Sequence, residues 1–234
     1  MYFITDWTER VDFDLIRRQR WQRTKEMMAV RSLGGLILFK YQNIRYASGM
    51  RPLWFPIPRL ANAAVCAAGM EAPMVLVTGG DIDHRRATMS WIPKENVRQL
   101  PPLEDPAGLV IGLPILKAAL RDSGITAGKV GIDITSLPLL EALQQDLPEI
   151  TFVDADAPLA EVRAIKSEEE VKLFKSACLA VEAAFPEASD AVRVGVRECE
   201  ILGATMKALY SYGMEIPQCN SIVASGDNLA PIAR

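Results

Sequence analysis

The stretch Lys129-Val130-Gly131-Ile132-Asp133 is followed by a helical pattern over 137–147 and then by Thr151-Phe152-Val153-Asp154. Two short apolar runs separated by an amphipathic segment of helix length read as strand, helix, strand. Repeated alternation of this kind builds an α/β sheet. Upstream, 109–123 is helical in pattern and follows a loop marked by Pro101, Pro102 and Pro106. Residues 61–67 and 74–78 read as a strand pair about a turn at 69–73. Gly79-Gly80-Asp81 breaks the chain before a helix running through Trp91. Leu36-Ile37-Leu38-Phe39 is expected as a buried strand, with Asn43-Ile44-Arg45-Tyr46 a short second strand or turn. Residues 13–33 read as a helix, with Phe13, Arg17, Trp21, Thr24 and Met28 on one face and Gly34-Gly35 as its stop. Residues 1–155 are therefore expected to form one α/β domain.

Beyond it the pattern changes. Residues 156–166 read as a linker, and 167–234 as a second unit. Ser167-Glu168-Glu169-Glu170 is a capping box: the serine can cap an amide of the first turn and Glu170 can reach back. The three glutamates also suit the positive end of the helix dipole. Val171, Phe174, Cys178, Val181 and Phe185 then share one helical face, the strongest periodicity in the chain. A second helix from Arg197 aligns Cys199, Leu202, Met206 and Leu209 and stops at Gly213. A strand is expected to begin at Ser221-Ile222-Val223-Ala224. Two helices and one strand each bury one face only, so this second unit reads as incomplete.

The totals agree with a core of this size. The chain has 234 residues, 50% hydrophobic and 24% charged. Its 26 basic and 29 acidic residues give a net charge of −3, with no concentrated basic face for nucleic acid. Arg17, Arg18, Arg20 and Arg23 point several ways around a helix and read as a solvated face. The start, Met1-Tyr2-Phe3-Ile4-Thr5-Asp6, is not a secretory leader, and no run approaches the roughly 20 apolar residues of a membrane span. A cytoplasmic protein is expected. Cys66, Cys178, Cys199 and Cys219 are widely spaced and read as reduced, mostly buried thiols, with Cys66 in the core, not as a zinc site. His84 is the single histidine.

Three stretches together resemble the creatinase/prolidase ("pita-bread") metalloenzyme family. Asn43-Ile44-Arg45-Tyr46-Ala47-Ser48-Gly49 is similar to that family's Asn-x-x-Tyr-x-x-Gly segment after the first core strand. Arg163-Ala164-Ile165-Lys166-Ser167-Glu168-Glu169-Glu170, with Ala177, is similar to its entry into the catalytic domain. Gly195-Val196-Arg197-Glu198 and Ile222-Val223-Ala224-Ser225-Gly226 are similar to the next helix start and the first catalytic-domain strand. The resemblance implies an α/β creatinase-type N-terminal domain, a mixed sheet with flanking helices, followed by an incomplete pita-bread α+β domain. It implies two divalent metal ions in the full-length family, held by two aspartates, one histidine and two glutamates. A hydroxide held between them attacks the substrate carbonyl, as paired metals allow. Those ligands have no matching position here, so no catalytic or metal-binding residue is assigned, and the chain is expected to be inactive alone. Family members include Xaa-Pro peptidases, amidinohydrolases and a dimethylsulfoniopropionate lyase branch. Where peptidase members carry a histidine after Pro231, this chain has Ile232, Ala233 and Arg234. The lyase branch lacks that histidine too and has a similar Arg17-x-x-Arg20-Trp21 helix and a Trp-containing loop. A homodimer acting on a small-molecule or peptide substrate is implied, with no nucleic acid and no membrane partner.

The candidate substrate-pocket residues are Arg51, Trp54, Asp227 and Asn228. Trp54, on a Pro-rich loop with Phe55, could close over a cationic group by cation–π contact, against simple packing of two aromatics under a loop. Asp227 and Asn228 lie where the family's pocket begins, against ordinary turn chemistry. Asp81-x-Asp83-His84 could bind a divalent ion but reads first as a helix cap with solvated charges, and Arg85 and Arg86 would compete with a cation. Gly79-Gly80 lacks the Lys-Ser/Thr of a phosphate loop. Two other readings stay open: a non-catalytic dimerisation or binding module derived from the family, and an unrelated α/β enzyme centred on the Asp-x-Asp-His cluster.

Overall fold

Gly35–Leu38 (β1) is buried at every position, and it lies inside a six-stranded sheet. The computed structural model describes residues 7–51, 60–215 and 223–229. They divide into two compact units, one of residues 14–165 and one of residues 166–234 together with 1–13.

In the first unit, β1 pairs antiparallel with Ala63–Ala67 (β2), which pairs antiparallel with Met74–Val77 (β3). Val97–Gln99 (β4) lies parallel to β3. On its other side β1 runs parallel to Gly128–Ile132 (β5), and β5 parallel to Ile150–Asp154 (β6). The order β4-β3-β2-β1-β5-β6 is thus a mixed sheet. Its two faces are both apolar because alternate residues of each strand point to opposite sides. Ile37, Val65 and Leu76 join a cluster with Leu116 and Leu120 of Pro106–Asp122 (α4) and Leu143 of Leu137–Asp146 (α5). Leu36, Leu38, Cys66 and Val75 join a second cluster with Met28 of Phe13–Val30 (α1). The helix through 109–123, the strands at 36–39, 61–67, 74–78, 129–133 and 151–154, and the helix at 137–147 thus stand where the sequence places them.

Three elements differ. Asn43-Ile44-Arg45-Tyr46 is neither strand nor turn: it belongs to a helix, Tyr41–Ser48 (α2). Ile44 of this helix packs into the second cluster. The helix after Gly80 is short, Ile82–Thr88 (α3). The interval 156–166, expected as a linker, carries the helix Asp156–Ala164 (α6), whose Leu159 is fully buried in the second cluster.

The second unit contains Glu168–Ala191 (α7) and Glu198–Ser211 (α8), which pack on each other. The capping box forms: Ser167 N–H donates to Glu170 Oε2 at 2.8 Å, and Glu170 N–H to Ser167 Oγ at 3.3 Å. Ala180 and Ala184 of α7 and Ala208 of α8 are buried, so small side chains occupy the buried faces of the two helices. The periodic stripe lies elsewhere on α7. Val171, Phe174, Val181 and Phe185 are 39%, 57%, 53% and 71% exposed. Of the strand expected at 221–224, residues 221 and 222 lie outside the described residues, and 223 and 224 are not in a strand.

Candidate functional site

Among the described residues, a carboxylate in each unit gathers three donor groups. In the first it is Asp133, just past the end of β5 and buried. Its Oδ1 accepts the Phe39 N–H at 2.8 Å, and its Oδ2 accepts the Lys40 N–H at 3.0 Å and the Asn43 side-chain amide at 2.9 Å. Lys40 is the residue before α2 and offers no side-chain cap of its own. Asp133 therefore places a carboxylate where the orphan amides and the positive dipole end of α2 need an acceptor. Burial pushes the Asp133 carboxyl above its ordinary value, against the opposing pull of these donors. At the other end of α2, Gly49 takes φ 73° and its N–H bonds to the Arg45 carbonyl. A Cβ there would stand 3.0 Å from Arg17 Cδ. The Asn-x-x-Tyr-x-x-Gly spacing is thus the two ends of a short helix: Asn43 ties its start to β5, and Gly49 closes it.

In the second unit the gathering carboxylate is Glu198, in the first turn of α8. Glu198 Oε1 accepts the Ser225 N–H at 2.6 Å, the Ser225 hydroxyl at 2.9 Å and the Asn228 amide at 3.1 Å. Residues Gly226–Asn228 form a single 3-10 turn held by this carboxylate. The Gly195-x-x-Glu198 and Ser225-Gly226 motifs are therefore partners in space.

Of the expected pocket residues, Asn228 is committed through its amide to Glu198, which is turn chemistry. Asp227 is exposed beside it. Arg51 is exposed, and its carbonyl accepts from Arg85 Nη1 at 3.2 Å. Trp54 lies outside the described residues. Asp81 stands just before α3, where its side chain caps no amide and pairs instead with Arg85 at 2.7 Å, while Asp83 faces Arg86 at 3.5 Å. The arginines take up the carboxylates that a cation would need. Among the described residues no group of three His, Cys, Asp or Glu side chains is placed to hold a metal ion. A shallow hollow lined by Asp83, Arg86, Ala87, Lys94 and Glu95 mixes both signs of charge. Arg17 stacks on Trp91, 3.9 Å from the ring centroid, and Trp21 is buried, so both pack within the first unit. The thiols are less buried than their spacing suggested: Cys66 is buried, Cys178 and Cys199 are exposed, and Cys219 lies outside the described residues. Helix amphipathicity had placed Cys178 and Cys199 on apolar faces; the face bearing Cys178 is open to solvent. No helix of the described residues is long and apolar enough to cross a membrane.

A mixed-sheet α/β unit, a buried Asn–Asp tie after its first strand and a capped helix pair define a two-part α/β protein. The family described as the Creatinase/Prolidase N-terminal domain matches residues 20–165, and the chain belongs to it. The chain is 26% identical over 200 residues to an uncharacterised hydrolase/peptidase of Sinorhizobium fredii, covering 83% of this chain and 50% of that one. It is 26% identical over 214 residues to an Xaa-Pro dipeptidase of Pyrococcus horikoshii, covering 90% and 53%. The chain thus spans about half the length of these curated relatives. The fold resembles an X-Pro aminopeptidase of Thermotoga maritima (TM-score 0.64, 16% identity, 83% of this chain and 49% of that one). It also resembles an Xaa-Pro dipeptidase of Bacillus anthracis (TM-score 0.61, 16% identity, 83% and 49%).

Proposed function

We propose that this chain is the N-terminal portion of a prolidase-type dinuclear metalloenzyme, with a catalytic domain beginning at residue 167. The observation that carries this reading is the family match over residues 20–165 in a chain that spans half the length of an Xaa-Pro dipeptidase. Two divalent ions would supply the activated nucleophile for cleavage of an Xaa-Pro bond or a related small substrate. Their ligands belong to the half of the relatives' length that this chain does not span. Asp227 is offered to the substrate pocket. Asn228 shapes the turn beside it.

The test is an Xaa-Pro dipeptide cleavage assay with added manganese, run on the 234-residue chain and on a fusion of it to the second half of the Pyrococcus horikoshii dipeptidase. The chain alone is expected to be inactive and to retain no stoichiometric metal. The fusion is expected to cleave. Stoichiometric metal retained by the chain alone, or a folded fusion without activity, rejects the reading.

A second reading has its own support. Val110 and Ile111 on α4 are 75% and 62% exposed, and Leu137 on the adjoining α5 is 68% exposed. Apolar side chains of this size on two packed helices suit a dimerisation module. Light scattering of the chain tests it: a discrete dimer supports the module, and a monomer rejects it.

A further inference from the structure

We infer that residues 7–13 are a strap of the second unit, latched by Glu169 and able to open while the sheet stays folded. The inference goes beyond the prolidase-type reading and does not rest on it.

The chain passes between its two units twice, at 13/14 and at 165/166, so residues 1–13 group with 166–234 and not with the sheet that follows them. The described part of this segment opens with the single 3-10 turn Trp7–Arg10. The Phe13 N–H then donates back to the Val11 carbonyl at 3.0 Å, a three-residue turn that bends the chain at Asp12 before α1 begins. The Asp12 N–H stands outside the hydrogen-bond ladder of α1, as one of the orphan donors at a helix start. Glu169 Oε2 accepts it at 3.1 Å, from 157 positions away. Glu169 is available for this because the start of α7 is already served: Ser167 and Glu170 close the capping box between themselves. Its other oxygen, Oε1, pairs with Lys172 one turn on, which fixes the carboxylate in place. Lys172 first, and the Asp12 N–H second, hold the Glu169 carboxyl below its ordinary value, so the latch is an ionised group making charge-assisted bonds. Val11 is buried as well and joins neither apolar cluster of the sheet, which sets a hydrophobic contact beside the latch. The strap still has little burial. Thr8, Glu9, Arg10 and Asp12 are exposed, whereas β1 and β3 are buried at every position. A segment with so little buried surface opens far more often than the sheet does.

Native-state hydrogen exchange of the full 234-residue chain, read by mass spectrometry on peptides from 7–13, the start of α7 and β5, tests the strap. In the wild type the 7–13 amides are expected to exchange at least about tenfold more slowly than in free chain. Their rate should stay flat in low urea while that of β5 climbs. Glu169→Ala should speed exchange in 7–13 by about tenfold or more and leave β5 unchanged, the sign that the chain is still folded. Val11→Asp should do the same. Deleting residues 1–11 should speed exchange at the start of α7 and again leave β5 unchanged. The inference is overturned if 7–13 exchange like free chain in the wild type, which would make the segment a loose tail. A rate that climbs with urea in step with β5 overturns it too, because the segment would then open only with the sheet. So does a Glu169→Ala chain whose 7–13 amides stay as protected as before, or a deletion that loosens β5 and not α7.

Discussion

The Asn43 side-chain amide donates to Asp133 at 2.9 Å, so the first helix after β1 is tied to the end of β5 across 90 positions of sequence. Asp133 also accepts two backbone N–H groups at the start of α2. Asp133→Ala would leave three donors without an acceptor in a buried place. Each orphaned buried group costs about 1–3 kcal/mol, partly relieved by local rearrangement, so a loss of about 3 kcal/mol is expected. Asn43→Ala removes one donor and leaves the carboxylate its two backbone partners, so about 1–2 kcal/mol is expected. Urea unfolding followed by circular dichroism measures both. An Asp133→Ala chain as stable as wild type would show that the tie is dispensable.

The same carboxylate gives stability a pH dependence. Burial raises the Asp133 pKa in the folded chain above its ordinary 3.8. Between the unfolded and folded values the folded state binds more protons, so stability falls as pH rises through that window. The contribution is complete below the unfolded pKa and is lost above the folded one. Asp133→Asn cannot titrate, and its amide would point a donor at donors. The variant should be less stable at every pH, and the gap to wild type should narrow as pH rises through the folded pKa. Denaturant midpoints taken across the acid range decide the matter. A gap that widens with rising pH would reverse the sign and refute the shift.

Glu198 holds a local structure instead of the core. Its bonds to Ser225 and Asn228 stand at a partly exposed site, so their removal should act on the 225–228 turn and hardly on global stability. Glu198→Gln keeps the shape and loses the charge that strengthens these bonds. Amide exchange at Ser225 should speed up by about tenfold or more, with the urea midpoint nearly unchanged. Unchanged exchange at Ser225 would mean that the turn holds itself.

Much of this fold was legible because its signals are local. The apolar run Leu36-Ile37-Leu38-Phe39 needed no partner to read as a buried strand, and Ser167 with Glu170 announced the start of α7. What failed depended on distant groups. The start of α2 is capped by Asp133, which no window around Asn43 contains. β4 is a short edge strand with one buried residue, Val97, too little for a period to show. α6 buries only Leu159, and its acidic and proline residues read as a connector. The bond between Asn228 and Glu198 joins two motifs that lie 30 positions apart, and no window around either contains the other. The stripe on α7 was periodic in sequence; its solvent exposure was a property of what stands next to it.

Two glycines should respond to alanine in opposite ways. Gly108 lies in the first turn of α4, where its N–H donates to the Asp105 carboxylate at 2.7 Å. A Cβ at Gly108 would fall 1.8 Å from the Pro102 carbonyl oxygen, which is backbone and cannot swing aside. Gly108→Ala must therefore move the 102–108 loop or lose the cap, and a destabilisation of about 3 kcal/mol or more is expected. Gly203 lies inside α8, is exposed, and a Cβ there would meet nothing within 4 Å. Alanine has the better helix propensity and narrows the unfolded ensemble, so Gly203→Ala should stabilise α8 by about 0.5–1 kcal/mol. Thermal unfolding of the two variants beside wild type compares them directly. Gly203→Ala falling below wild type would mean that the open face of α8 is covered by a surface that tolerates no methyl group.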